Sequence, residues 1–149
     1  MKMKAEIKEL QSRAQTGRAI YSSAKHFNDL GMHLDDSLQG FFNYVKNIPY
    51  LEDTTKAEIV SRPKYMLGKG AFKNGIDCKK KAVLMASWLE AHGIPYRLVA
   101  VSERKNKQIH HVFPQAKIKG KWLNVDATYN HYKLFEGKPK VTHGEVLSR

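Results

Sequence analysis

Apolar residues recur at helical spacing through Leu38, Phe41, Phe42 and Val45, and again through Ala82, Met85, Ala86 and Leu89. Repeats of three and four residues put such positions on one face of an α-helix, which then has a side to bury. Asp35 or Asp36 is placed to cap the first of these helices, and Ile48-Pro49-Tyr50 ends it. The second is predicted from about Cys78 to His92, because Gly93-Ile94-Pro95 is a stop signal. Ile7, Leu10, Ala14 and Tyr21 fit a helical face more loosely, with Gly17 in the middle, and predict an appended helix over residues 1 to 26.

Beyond Gly93 the spacing changes. Tyr96 to Val101 reads as a strand, Glu103 to Lys107 as a polar turn, and Ile109 to Ile118 as a second strand. Pro114 interrupts that second strand and is expected at an edge or a bulge, since it has no N–H to give a ladder. Lys119-Gly120-Lys121 turns the chain into a third strand, Trp122 to Asp126. Residues 51 to 77 hold Pro63, Gly68, Gly70 and Gly75 and predict a long irregular connection, while the tail from Asn130 carries no assignable pattern. Helices followed by an antiparallel meander are an α+β arrangement. One domain spanning 1–149 is expected, with residues 1–30 as a helical extension and 41–129 as the core.

Composition narrows this picture. A chain of 149 residues with 42% hydrophobic content can bury a real core, which excludes global disorder. One cysteine excludes an intramolecular disulfide and leaves its thiol free. No apolar run approaches the ~20 residues of a membrane span, and the charged N-terminal segment lacks a signal-peptide core, so a cytoplasmic location is expected. The net charge of +12 predicts attraction to an anionic partner. Its lysines form no recognisable nucleic-acid motif, and a solvated basic surface explains them equally well. Seven histidines and one cysteine show no metal-ligand spacing, and Gly68-Lys69-Gly70 completes no nucleotide motif, so neither metal nor cofactor is expected.

The chemistry concentrates in three residues. Cys78 opens a predicted helix, where unpaired N–H groups and the helix dipole stabilise a thiolate. Its own backbone N–H is a candidate oxyanion donor, with Asn74 a second candidate that serves equally as a turn residue. His111 and Asp126 fall on neighbouring predicted strands, within reach of one another across a short hairpin. His110 and His111 point to opposite faces, so only one can serve, and His111 is the preferred base. Nucleophile, base and orienting carboxylate are the parts of thiol acyl-transfer chemistry. Lys79, Lys80 and Lys81 in the first turn of the helix are either a site for an anionic substrate or a solvated face.

Gly75-Ile76-Asp77-Cys78, Leu89-Glu90-Ala91-His92-Gly93-Ile94-Pro95-Tyr96-Arg97, His111-Val112-Phe113 and Trp122-Leu123-Asn124-Val125-Asp126-Ala127-Thr128 together resemble the transglutaminase-like superfamily. The likeness extends over roughly Phe41 to Tyr129 and includes Tyr50-Leu51-Glu52-Asp53 and Ser61 to Leu67 ahead of the cysteine. It implies a papain-like core, with Cys78 as nucleophile, His111 as acid and base, and Asp126 as its orienter. Short stand-alone members resemble bacterial and bacteriophage proteins, which implies peptidase or amidase action on a protein or peptide, with amine transfer as a variant. The competing expectation is a non-catalytic basic binding or virion-assembly protein that keeps the fold.

Overall fold

The computed structural model describes residues 7–10, 12–52, 58–70, 75–102, 111–136 and 143–149. In chain order these form strand β1 (Ile7–Leu10), helices α1 (Arg13–Ala24) and α2 (Leu38–Lys46), strand β2 (Glu58–Ser61), helix α3 (Cys78–Ala91), and strands β3 (Tyr96–Ser102), β4 (His111–Ile118), β5 (Lys121–Asn124) and β6 (His143–Leu147). Short 3-10 segments lie at Phe27–His33 and Pro63–Met66. The architecture is α+β, with β5-β4-β3-β6 as an antiparallel sheet and β1-β2 as a separate ribbon.

Helix α3 is the centre of the molecule. Ala82 through Leu89 are buried without a break, so this helix is covered on every side rather than along one stripe. It contacts α1, α2 and β4. Asp77 caps its start by accepting from Lys80 N at 3.0 Å. Its end is a Schellman motif: Ile94 N reaches Leu89 O, Gly93 N reaches Glu90 O, and Gly93 takes φ +66°. Helix α2 buries Phe41, Phe42 and Val45 as the spacing predicts, but Ser37 is its cap. Asp35 acts one step back, accepting from Ser37 N and from its hydroxyl.

Other expectations also need correction. The N-terminal segment is not one appended helix: Ile7–Leu10 is a strand paired with β2, and α1 begins at Arg13, capped by the hydroxyl of Ser12. Nor is α1 peripheral, because Ile20, Tyr21 and Ala24 are core residues. The Tyr21 hydroxyl donates to Leu147 O and accepts from Leu98 N, bridging β3 and β6. The tail from Asn130 is not featureless, since β6 pairs along β3 and presses Leu147 against Gly17.

Pro114 lies in neither an edge strand nor a bulge, for β4 is interior and pairs continuously with β3. Lys117 N bonds Pro95 O, and alternation from that bond directs the Pro114 nitrogen toward β5 rather than β3. The β5 ladder stops at Asn124, so the missing donor costs one bond at its end, while Pro114 O still accepts from Val125 N at 2.8 Å. The β4-β5 turn has positive φ at both Lys119 and Gly120, as a tight hairpin requires. The predicted turn at Glu103 to Lys107 lies outside the described residues.

Candidate active site

The approach to Cys78 is built from backbone. Gly75 takes φ +83°, and a Cβ there would meet Pro49 O at 2.8 Å and Leu51 Cβ at 3.0 Å. Only glycine satisfies both conditions. The close approach lets Ile76 N donate to Pro49 O and Leu51 N donate to Ile76 O, a parallel bridge that seats Tyr50 beside the start of α3. Cys78 is the first residue of that helix and is buried with a free thiol.

His111 opens β4, and Asp126 follows β5 by two residues rather than ending it. Extending the Gln115↔Asn124 register places Asp126 opposite Phe113, diagonal to His111 and within reach of a ring. The imidazole Nε2 and Asp126 Oδ2 are 2.6 Å apart, with Asp126 only 1% exposed. The other carboxylate oxygen, Oδ1, accepts from Thr128 Oγ1 at 2.6 Å and from Thr128 N at 3.1 Å. The Cys78 side chain lies close enough to the ring to raise its pKa. Since Nε2 is committed to Asp126, Nδ1 is left for the sulfur. The structure therefore joins His111 to Asp126 directly and sets the pair near Cys78.

Electrostatics follow from this geometry. Burial alone pulls the His111 pKa down, but the hydrogen bonds and negative charges of Asp126 and Cys78 outweigh it and push it up to about 10. At neutral pH the ring is an imidazolium, a ready proton donor. Tyr50, packed on Tyr129 with ring centroids 4.9 Å apart, has its pKa raised by burial and then by the charge of Cys78. Tyr132 is pushed up to about 12 by burial and by Asp126. Both tyrosines stay neutral donors over the working range.

Lys79, Lys80 and Lys81 are not an open basic patch. Lys81 is 1% exposed, with its ammonium turned inward onto carbonyls. Lys79 is 8% exposed and sits 3.1 Å from Asp77 Oδ2. That oxygen receives no well-directed hydrogen bond, so the neighbouring ammonium is what offsets its burial. Only Lys80 is half exposed. The reason is the burial of α3 on all sides, which leaves little helix face for solvated lysines. Asn74 and His110 lie outside the described residues.

Thr128 was not anticipated, although an Asp followed two residues later by a hydroxyl residue is a known way to fold a carboxylate back on its own chain. A cavity of about 210 Å³ adjoins the site, walled by Tyr50 and Tyr129 with Lys81 beneath. Among the described residues, no three His, Cys, Asp or Glu side chains converge as a metal site. No described helix is long and apolar enough to cross a membrane.

A family model of the transglutaminase-like superfamily matches residues 24–127. Among solved structures, the chain is similar to a protein from Cytophaga hutchinsonii described as a candidate cysteine protease. That similarity has 18% identity and a TM-score of 0.44, and covers 79% of this chain and 39% of the other. The chain thus spans well under half the length of that protein. Comparison with curated protein sequences gives no match.

Proposed function

The chain belongs to the transglutaminase-like superfamily, and from that premise we propose that it is a thiol-dependent acyl-transfer enzyme acting through Cys78, His111 and Asp126. The Cys78 sulfur attacks the carbonyl carbon of a carboxamide or peptide, and the backbone N–H of Cys78, as the first residue of α3, is the donor we assign to the oxyanion that develops. The His111 imidazolium gives its proton to the departing amine as the C–N bond breaks, leaving a thioester. Neutral His111 then takes a proton from water, whose oxygen attacks the thioester carbon. The acid leaves, and sulfur and imidazolium return to their starting charges. An amine in place of water would give transfer instead of hydrolysis. We take peptidase or amidase hydrolysis of a protein or peptide as the default.

One observation carries this proposal: a single buried imidazole is held by Asp126 at 2.6 Å and lies near enough to Cys78 for the sulfur to raise its pKa. A histidine serving only the core would not need both partners.

The test uses an activated ester, p-nitrophenyl acetate, with peptide mapping to locate the acyl group. Acylation of Cys78 in the native protein should exceed that in the denatured protein and fall at least about tenfold in His111→Ala. Equal rates in all three would remove the catalytic proposal and leave a binding or assembly protein with an inherited fold.

A further inference from the structure

Three residues after the nucleophile, on the same helix, α3 carries a lysine sealed inside the protein. Lys81 donates from Nζ to Ile48 O at 2.6 Å, to Thr128 O at 2.8 Å and, more weakly, to Lys46 O at 3.4 Å. Its described partners are all carbonyls. A buried ammonium without a paired carboxylate is costly, and a methionine of similar length would fill the space without that cost. What methionine lacks is three donors. The carbonyls they hold come from two segments that both border the candidate site: the end of α2 leading to Tyr50, and the stretch from Asp126 to Tyr129.

We propose that Lys81 is a positioning residue, whose ammonium ties the Asp126-bearing segment to the nucleophile's own helix and so fixes the His111–Asp126 pair relative to Cys78. This rests on the acyl-transfer function proposed above. The contact path is continuous. Lys81 Nζ holds Thr128 O. Thr128 N and Oγ1 hold Asp126 Oδ1. Asp126 Oδ2 is left free to hold His111 Nε2. Moving Thr128 therefore swings the carboxylate, and a displacement near 1 Å at a reacting centre costs roughly 10²-fold in rate.

Burial pulls the Lys81 pKa down to about 8, opposed by the charge of Asp126. Among the described residues, the other ionisable groups that line the same cavity are Lys46, Tyr50 and Tyr129. Tyr50 stays protonated in this range. Once Lys81 is neutral it has two N–H donors for three carbonyls, so at least one tether is lost. Ionisation of Lys81 thus couples to the geometry of the pair on the far side of Thr128.

The test compares native protein with Lys81→Met by two readouts: acylation of Cys78 by p-nitrophenyl acetate, and the low-field proton resonance of the His111 Nε2–H. Lys81→Met should fold, acylate about tenfold or more slowly at pH 7, and show that resonance shifted upfield. A folded Lys81→Met with native rate and native resonance would reduce Lys81 to packing. If Lys81→Met does not fold, the native protein still decides the matter. Its Lys81 Nζ signal, its acylation rate and the His111 resonance should change together, with a midpoint near pH 8. A Lys81 titration with no accompanying change in rate or resonance overturns the proposal. Failure of the acyl-transfer function looks different: native Cys78 would show no dependence on His111 at all.

Discussion

At the scale of single residues, the 2.6 Å contact between His111 and Asp126 ties ionisation to stability. The folded pKa of His111 is about 10 against an unfolded value of 6.5. Its contribution is fully present below pH 6.5 and is lost as pH rises toward 10. Lys81 acts with the opposite sign. Its folded pKa is depressed to about 8 from 10.5, so the cost of its buried charge is relieved across that higher interval. The interval from pH 6.5 to about 8 therefore belongs to His111. In denaturant unfolding, the stability of the native protein relative to Asp126→Asn should fall across that interval, and Asp126→Asn should slow Cys78 acylation by roughly a thousandfold or more. An unchanged slope in Asp126→Asn would mean that the carboxylate does not hold the imidazolium. The meeting of His111 with Asp126 is legible in the sequence because residue type, strand alternation and hairpin length restrict which side chains can meet. Thr128 and Lys81 are not, because each acts through a backbone carbonyl or a fold-back turn, and a carbonyl has no sequence signature. A lysine in a helix reads as solvated until the helix proves buried on every side.

At the scale of elements, the long connection before α3 holds the clearest consequence. It reads as irregular because prolines and glycines punctuate it, yet it contains β2 and the bridge between residues 49–51 and 75–76. Long-range pairings of this kind depend on partners far along the chain, which local patterning does not record. The same cause hid β1 and β6, whereas α2 and α3 were visible because their stripes are local. Gly75→Ala meets both a positive φ and a clash with Pro49 O. It should destabilise the protein by about 1–3 kcal/mol and slow Cys78 acylation, because Tyr50 and the start of α3 shift together. Gly93→Ala is the control, since Gly93 takes φ +66° but has open space around its Cα. It should cost stability through backbone strain alone and leave the acylation rate of the folded protein near native. Equal kinetic damage from both would show that strain in general, rather than the bridge at Tyr50, governs the site.

At the scale of the whole molecule, the charge of +12 needs a location before it can imply a partner. Lys79 and Lys81 are buried, so the first turn of α3 contributes little to any surface field. The hairpin joining β4 and β5 is different. Lys117, Lys119 and Lys121 are exposed there, and both Arg97 and Lys117 lie over the Trp122 ring, at 4.3 and 5.7 Å from its centroid. An anionic polymer meeting this protein should find that hairpin before it finds α3. Replacing Lys117, Lys119 and Lys121 together with Gln should weaken retention on heparin and lower its salt dependence, since each lost phosphate-like contact removes roughly 0.9 from the slope of log affinity against log salt. Cys78 acylation should be unaffected, because none of these residues belongs to the contact chain from Lys81 to His111. A triple variant that binds heparin as the native protein does would mean that the charge acts diffusely, with no anionic partner seated on the hairpin. One that loses acylation as well would mean that this edge of the sheet supports the active site through β4, whose first residue is His111.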